Sequence, residues 1–96
     1  MAAYVIADIK VSDETQYEQY RARSPGAVTA AGGQFIVRGG RHQTMEGNWK
    51  PNRVVVLKFD TYDKAIAFYD SELYRAARAK RAGATEYFNM IVVEGV

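Results

Sequence analysis

The chain contains no cysteine. That absence removes disulfides, Cys-ligated zinc, iron–sulfur clusters and thiolate nucleophiles, and makes a reducing cytoplasm the expected setting. There is a single histidine, His42, so a structural zinc site is not expected. No apolar run approaches the ~20 residues that a bilayer-crossing helix needs. The opening MAAYVIADIKV has no charged leader followed by a long apolar stretch, so no membrane partner is expected. Charge excess is slight: a net +2 is too little to argue for binding a phosphate backbone, and no nucleic-acid partner is expected. Gly39-Gly40 leads into loop rather than helix, and no dinucleotide fingerprint or Ser-His-Asp order occurs. Hence no cofactor is expected.

What is present suffices for one domain. At 96 residues the surface-to-volume ratio is high, and a partner subunit would add stability. In AYVIADIKV, residues 3–11, Val5, Ala7, Ile9 and Val11 alternate with a less apolar set that holds Asp8 and Lys10, the pattern of a strand. SDETQYEQYRAR then offers Ser12 or Asp13 as a helix N-cap, with acidic residues in the first turn. Pro25 is expected to kink or restart this helix before Gly32-Gly33 ends it. QFIVRGGR, RVVVLKFD and YFNMIVVE read as three further strands. Between the last two, TYDKAIAFYDSELYRAARAKRAGA has helical spacing, with Ser71 placed to break the helix and cap a fresh turn.

The order βαββαβ defines an α+β, ferredoxin-like arrangement: an antiparallel four-stranded sheet with two kinked helices on one face. The other face carries Val54 and Val56, and an exposed apolar face of that extent is expected to pack on a second copy, giving a homodimer. Arg75, Arg78 and Arg81 recur at three-residue spacing. They read as a solvated helix face suited to the C-terminal dipole rather than a nucleic-acid footprint.

The succession GGQFIVRGG, EGNWKPNRVVVLKF, AIAFYDSELY with an Arg seven residues after its final Tyr, and the closing VVEGV resembles the domain-of-unknown-function family numbered thirteen-thirty. That family lies within the dimeric α/β barrel superfamily, and the likeness covers essentially the entire chain. It implies a homodimer with two facing sheets and the helices outside. It does not imply a reaction: superfamily relatives range from cofactor-independent monooxygenases and haem-degrading proteins to muconolactone isomerase-like enzymes and ligand-binding modules. Where family members commonly have Phe-Pro-Ser after the third strand, this chain has Phe59-Asp60-Thr61, and Asp60 or Thr61 can still cap the next helix.

The candidate site follows from this order. Arg38 ends the second strand and Arg53 opens the third, and in an antiparallel pair those ends are neighbours. Two adjacent guanidiniums require an anion, either Glu46 from the intervening connection or the carboxylate or phosphate of a ligand. Gly39-Gly40 would permit a bulge that re-aims Arg38, and Trp49 reads as a lid or dimer anchor. Around the helix break, Tyr69, Ser71 and Tyr74 offer hydroxyl donors, with an amphipathic wall and a simple cap as the structural alternatives. His42 or Glu46 would carry any proton transfer. Together these residues suggest a small anionic ligand held between helices and sheet. Whether the cleft turns a substrate over, only senses a metabolite, or supports cofactor-free oxygenation is open at this level.

Overall fold

The computed structural model describes residues 1–96. Its elements are β1 (Ala3–Val11), α1 (Glu14–Ala30), β2 (Gln34–Arg38), β3 (Val54–Phe59), α2 (Tyr62–Asp70), α3 (Glu72–Arg81) and β4 (Thr85–Glu94). The strands form one antiparallel sheet in the order β2-β3-β1-β4. This is the α+β, ferredoxin-like arrangement that the sequence implies.

Each helix starts where a short polar side chain can accept from an otherwise free amide. Asp13 accepts from Gln16 N at 3.0 Å, Thr61 from Lys64 N at 3.1 Å, and Ser71 from Tyr74 N at 3.3 Å. Ser71 separates α2 from α3, with extended backbone at the break. Pro25 behaves otherwise than expected: α1 continues through it to Ala30 without restarting. Proline removes only its own bond to the carbonyl four residues back, and the buried Ala27 and Val28 hold the following turn against the core.

The buried set alternates along β1 as Ala3, Val5, Ala7 and Ile9, and joins Leu57, Phe59, Phe68, Tyr17, Tyr20 and Tyr74. All helices therefore cover one sheet face. At ~25 cal/mol per Å² of apolar area, a buried aromatic contributes about 4–6 kcal/mol in gross transfer terms, so this aromatic-rich layer dominates the core. Gly33 permits the close approach: a Cβ there would lie 2.6 Å from Phe59 Cζ. The opposite sheet face presents Ile6, Val56, Ile91 and Val93, and Ile91 is 59% exposed.

One carboxylate is buried on that open face. Asp8 accepts from Trp49 Nε1 at 3.1 Å, Asn52 N at 3.0 Å and Tyr87 OH at 3.2 Å. Burial alone would raise its pKa, but these hydrogen bonds together outweigh burial and hold the carboxyl below its ordinary value. Asp8 thus ties the connection between β2 and β3 onto the sheet, and Trp49, 62% exposed, lies beside the apolar face.

Candidate functional site

A mainly apolar cavity of about 50 Å³ lies between the helices and the sheet. Its floor includes Val5, Ala7, Val55 and Leu57, its walls include Phe35, Phe68, Phe88 and Met90, and its polar groups come from α1, α3 and the adjoining ends of β2 and β3. Arg38, Arg53 and Tyr74 of the expected set line it.

Arg38 reaches the cavity through a break in strand register. In β2, Phe35 pairs with Leu57 on the helix-facing side, but the next partners are Val37 with Val56 and Arg38 with Val55. The extra residue turns Val37 to the open face and Arg38 to the helix side, as a bulge does. The bulge therefore precedes Arg38 rather than following it at Gly39-Gly40. The Arg38 guanidinium rests 4.3 Å from the Phe35 ring centroid. Arg53 passes over Gly39, whose φ of +70° suits glycine and where a Cβ would stand 2.7 Å from Arg53 Cζ.

Arg21, from α1, is the third guanidinium at this site. Its partners are Glu18 and Glu14, and these hydrogen bonds raise its pKa. Arg38 and Arg53 make no ion pair with any carboxylate of the chain. The expectation that Glu46 neutralises them is not met: Glu46 is exposed and lines a groove of the connection with His42, Trp49 and Pro51. Arg21 and Arg53 also line an outer polar cleft of about 270 Å³, with Glu14 and His42 among its other residues. The cavity thus opens outward past two arginines.

The hydroxyls divide into two kinds. Tyr20 OH and Tyr74 OH are 2.7 Å apart and satisfy one another across α1 and α3. Burial, then the neighbouring Tyr74, pushes the Tyr20 phenol far above its ordinary pKa, so it stays protonated. Tyr17 is buried as a residue and lines the same cavity, but its hydroxyl is not among the buried atoms left without a partner, which are Arg78 Nε and Arg81 Nε alone. Its pKa is raised by burial, against the pull of the Arg21 and Arg53 charges. Ser24, 6% exposed and two turns further along α1, also lines the cavity.

The remaining expected residues lie outside. Ser71 is a cap, its Oγ donating to the Phe68 carbonyl at 2.8 Å. Tyr69 is covered by Arg78, whose Cζ stands 3.9 Å from its ring centroid, and it lines a separate groove toward β4. His42 donates from Nε2 to the Pro51 carbonyl oxygen at 2.8 Å. Arg78 and Arg81 are not the solvated face expected of them: both are half-buried, Arg81 lies 3.7 Å from the Phe88 centroid, and both Nε atoms are buried without a partner. They stand on the stripe that continues from Tyr74, which packs inward.

Tyr17, Tyr20, Arg21 and Ser24 were not singled out as site residues by sequence reasoning. Their signal is the inner stripe of α1, where 17, 20, 24 and 28 share a face yet carry two phenols and a serine before Val28. No three His, Asp or Glu side chains converge as metal ligands would, and no helix is long and apolar enough to cross a membrane.

Fold and cavity together define an α+β protein of the ferredoxin-like class, with arginines and phenols lining a space between helices and sheet. The chain belongs to the family described as Domain of unknown function (DUF1330), whose model matches residues 2–96. Among curated proteins, none matches the sequence. Solved structures share the fold at low identity. A Rhodopseudomonas palustris protein of unknown function superposes with a TM-score of 0.74 at 14% identity, covering 99% of this chain and 82% of that one. A dimeric ferredoxin-like protein of unknown function from Jannaschia sp. CCS1 gives 0.72 at 12% identity, covering 99% and 100%. A Caulobacter crescentus CB15 protein, provisionally named an antibiotic biosynthesis monooxygenase, gives 0.69 at 15% identity, covering 99% and 90%.

Proposed function

We propose that the protein is a homodimer in which each subunit binds a small carboxylate-bearing molecule in the cavity between helices and sheet. The observation that carries this reading is that Arg38 and Arg53 line one mainly apolar cavity and pair with no carboxylate of the chain. Arg38 is exposed and Arg53 half-buried at the edge of this apolar lining, and two unpaired guanidiniums side by side favour an anion supplied from outside. The open sheet face, with Ile91 and Val93 exposed beside Trp49, favours a second copy as its cover. Dimers among the fold neighbours agree with that choice.

Binding without turnover is better supported than acid-base catalysis, because no carboxylate or histidine lines the cavity. His42 and Glu46 sit in the connection outside it, so no proton transfer is assigned to them. An oxygenase acting on an aromatic substrate has less support still. The cavity of about 50 Å³ is well below the ~150 Å³ of a site that holds benzene.

Thermal unfolding with short-chain acids tests the reading. At ten times its Kd, a ligand stabilises the fold by about 1.4 kcal/mol, an upward shift of about 5–10 °C for a domain of this size. The shift is expected in the native protein and lost in Arg38→Ala/Arg53→Ala. No shift with any acid, or an equal shift in the double variant, would overturn it.

A further inference from the structure

Two buried donors are used by neither the fold nor the carboxylate reading. Arg78 Nε and Arg81 Nε are buried without a hydrogen-bonding partner, and neither guanidinium pairs with a carboxylate of the chain. Arg78 is partly satisfied, since it lies over the Tyr69 ring and donates from a terminal nitrogen to the Tyr69 carbonyl oxygen at 3.1 Å. Arg81 has stacking instead: its Cζ stands 3.7 Å from the Phe88 ring centroid and 5.3 Å from that of Tyr20. Stacking uses the face of a guanidinium, whereas its N–H donors lie in the plane and still call for an acceptor.

Arg81 lines a groove of about 380 Å³, whose apolar walls are Ile66 and Tyr69 of α2 and Phe88, Met90 and Val92 of β4. Phe88, Met90 and Val92 pair with Ile9, Ala7 and Val5 of β1, the buried helix-facing set. Since β4 is an edge strand, the groove runs along that edge on the helix side of the sheet. Of its lining, Ile91 alone belongs to the open face, so a second copy packed on that face leaves the groove accessible. Ile66 is 40% exposed and Tyr69 38%, an apolar surface that ends at an unpaired cation. Phe88 and Met90 also wall the central cavity, but Arg38 and Arg53 do not line the groove.

We propose that this groove is a second ligand site, for a monocarboxylate with a hydrocarbon body of about six to ten carbons. It goes beyond the carboxylate reading above and does not depend on it. The volume lies within the range of ~300–1,000 Å³ usual for small-molecule pockets, and a mainly apolar lining with one charged group is their common make-up. The walls on α2 and β4 take the hydrocarbon, and Arg81 takes the carboxylate. Charge sets the ligand as a monoanion: Asp70 also lines the groove and pairs with no cation, so a second negative charge would be repelled.

Calorimetric titration of the protein with octanoate and with octanol tests this, repeated on Arg81→Met, Ile66→Asp, Asp70→Asn and Arg38→Ala/Arg53→Ala. Arg81→Met keeps an apolar stem against Phe88 and removes a buried, unpartnered donor, so the fold is expected to survive. Ile66→Asp acts from an exposed position on the other wall and guards against a variant that fails to fold. Octanoate is expected to bind the native protein about tenfold more tightly than octanol, and to lose about tenfold in Arg81→Met and in Ile66→Asp. Its affinity should rise in Asp70→Asn, and the Arg38→Ala/Arg53→Ala variant should retain octanoate binding. No binding of octanoate, or native affinity in Arg81→Met, would overturn the site. Loss of octanoate binding in Arg38→Ala/Arg53→Ala would place the acid in the central cavity, overturning this second site while supporting the first.

Discussion

Gly39 and Arg53 are packed so closely that a Cβ at position 39 would stand 2.7 Å from Arg53 Cζ. Position 39 also has a φ of +70°, where any side chain is strained. Gly39→Ala is therefore expected to cost about 1–2 kcal/mol of stability. It should also displace the guanidinium, abolishing most acid-induced stabilisation. Denaturant unfolding with and without a short-chain acid checks both parts. Retained ligand response at full strength would show that the position of Arg53 does not matter.

The Tyr20–Tyr74 pair stabilises the packing of α1 on α3. Tyr20→Phe leaves the Tyr74 hydroxyl unpaired and should cost about 1–3 kcal/mol, with the double phenylalanine variant costing less than the sum of the singles. The Tyr20 pKa is raised by folding, so its contribution is whole below the ordinary phenol value of 10.0 and is lost as pH rises above it. Urea midpoints at about pH 9 and about pH 11 should fall more steeply in the native protein than in Tyr20→Phe.

Asp8 titrates in the opposite sense. Folding lowers its pKa from 3.8, so its contribution is present above that value and is lost as pH falls through the lowered one. Trp49 is the only tryptophan and donates to Asp8, so its fluorescence reads the event. A step in emission at a pH below the ordinary carboxylate value is expected, and its absence in Asp8→Asn. Asp8→Ala should cost about 1–3 kcal/mol, because the amide of Asn52 loses its acceptor.

Ile91 is 59% exposed on the open sheet face, so Ile91→Asp adds little cost to an isolated subunit. Against a facing sheet it buries a charge. Sedimentation equilibrium should show the native protein as a dimer and the variant as a folded monomer. A folded native monomer at micromolar concentration would refute the homodimer.

The elements were legible in the sequence because period-two runs and caps are local signals: β1 spans the residues its alternation implies, and Ser71 breaks the second helix as its hydroxyl suggests. Pro25 misled, since packing of Ala27 and Val28 outweighs one missing backbone bond. Within the site, Arg38 and Arg53 could be brought together by antiparallel pairing alone. The bulge that turns Arg38 to the helix side of the sheet has no local mark in QFIVR, because the register is decided by partners on β3. Tyr17 and Ser24 were hidden for a different reason. A polar residue on an inner helical face reveals its cavity only when the opposing wall is known.

The most direct measurement is a crystal structure of the protein grown with a short-chain acid such as acetate. Its carboxylate oxygens are expected within about 3 Å of the Arg38 or Arg53 guanidinium nitrogens. A cavity filled by side-chain rearrangement or water alone, with the acid bound on the outer surface or not at all, would contradict the assignment.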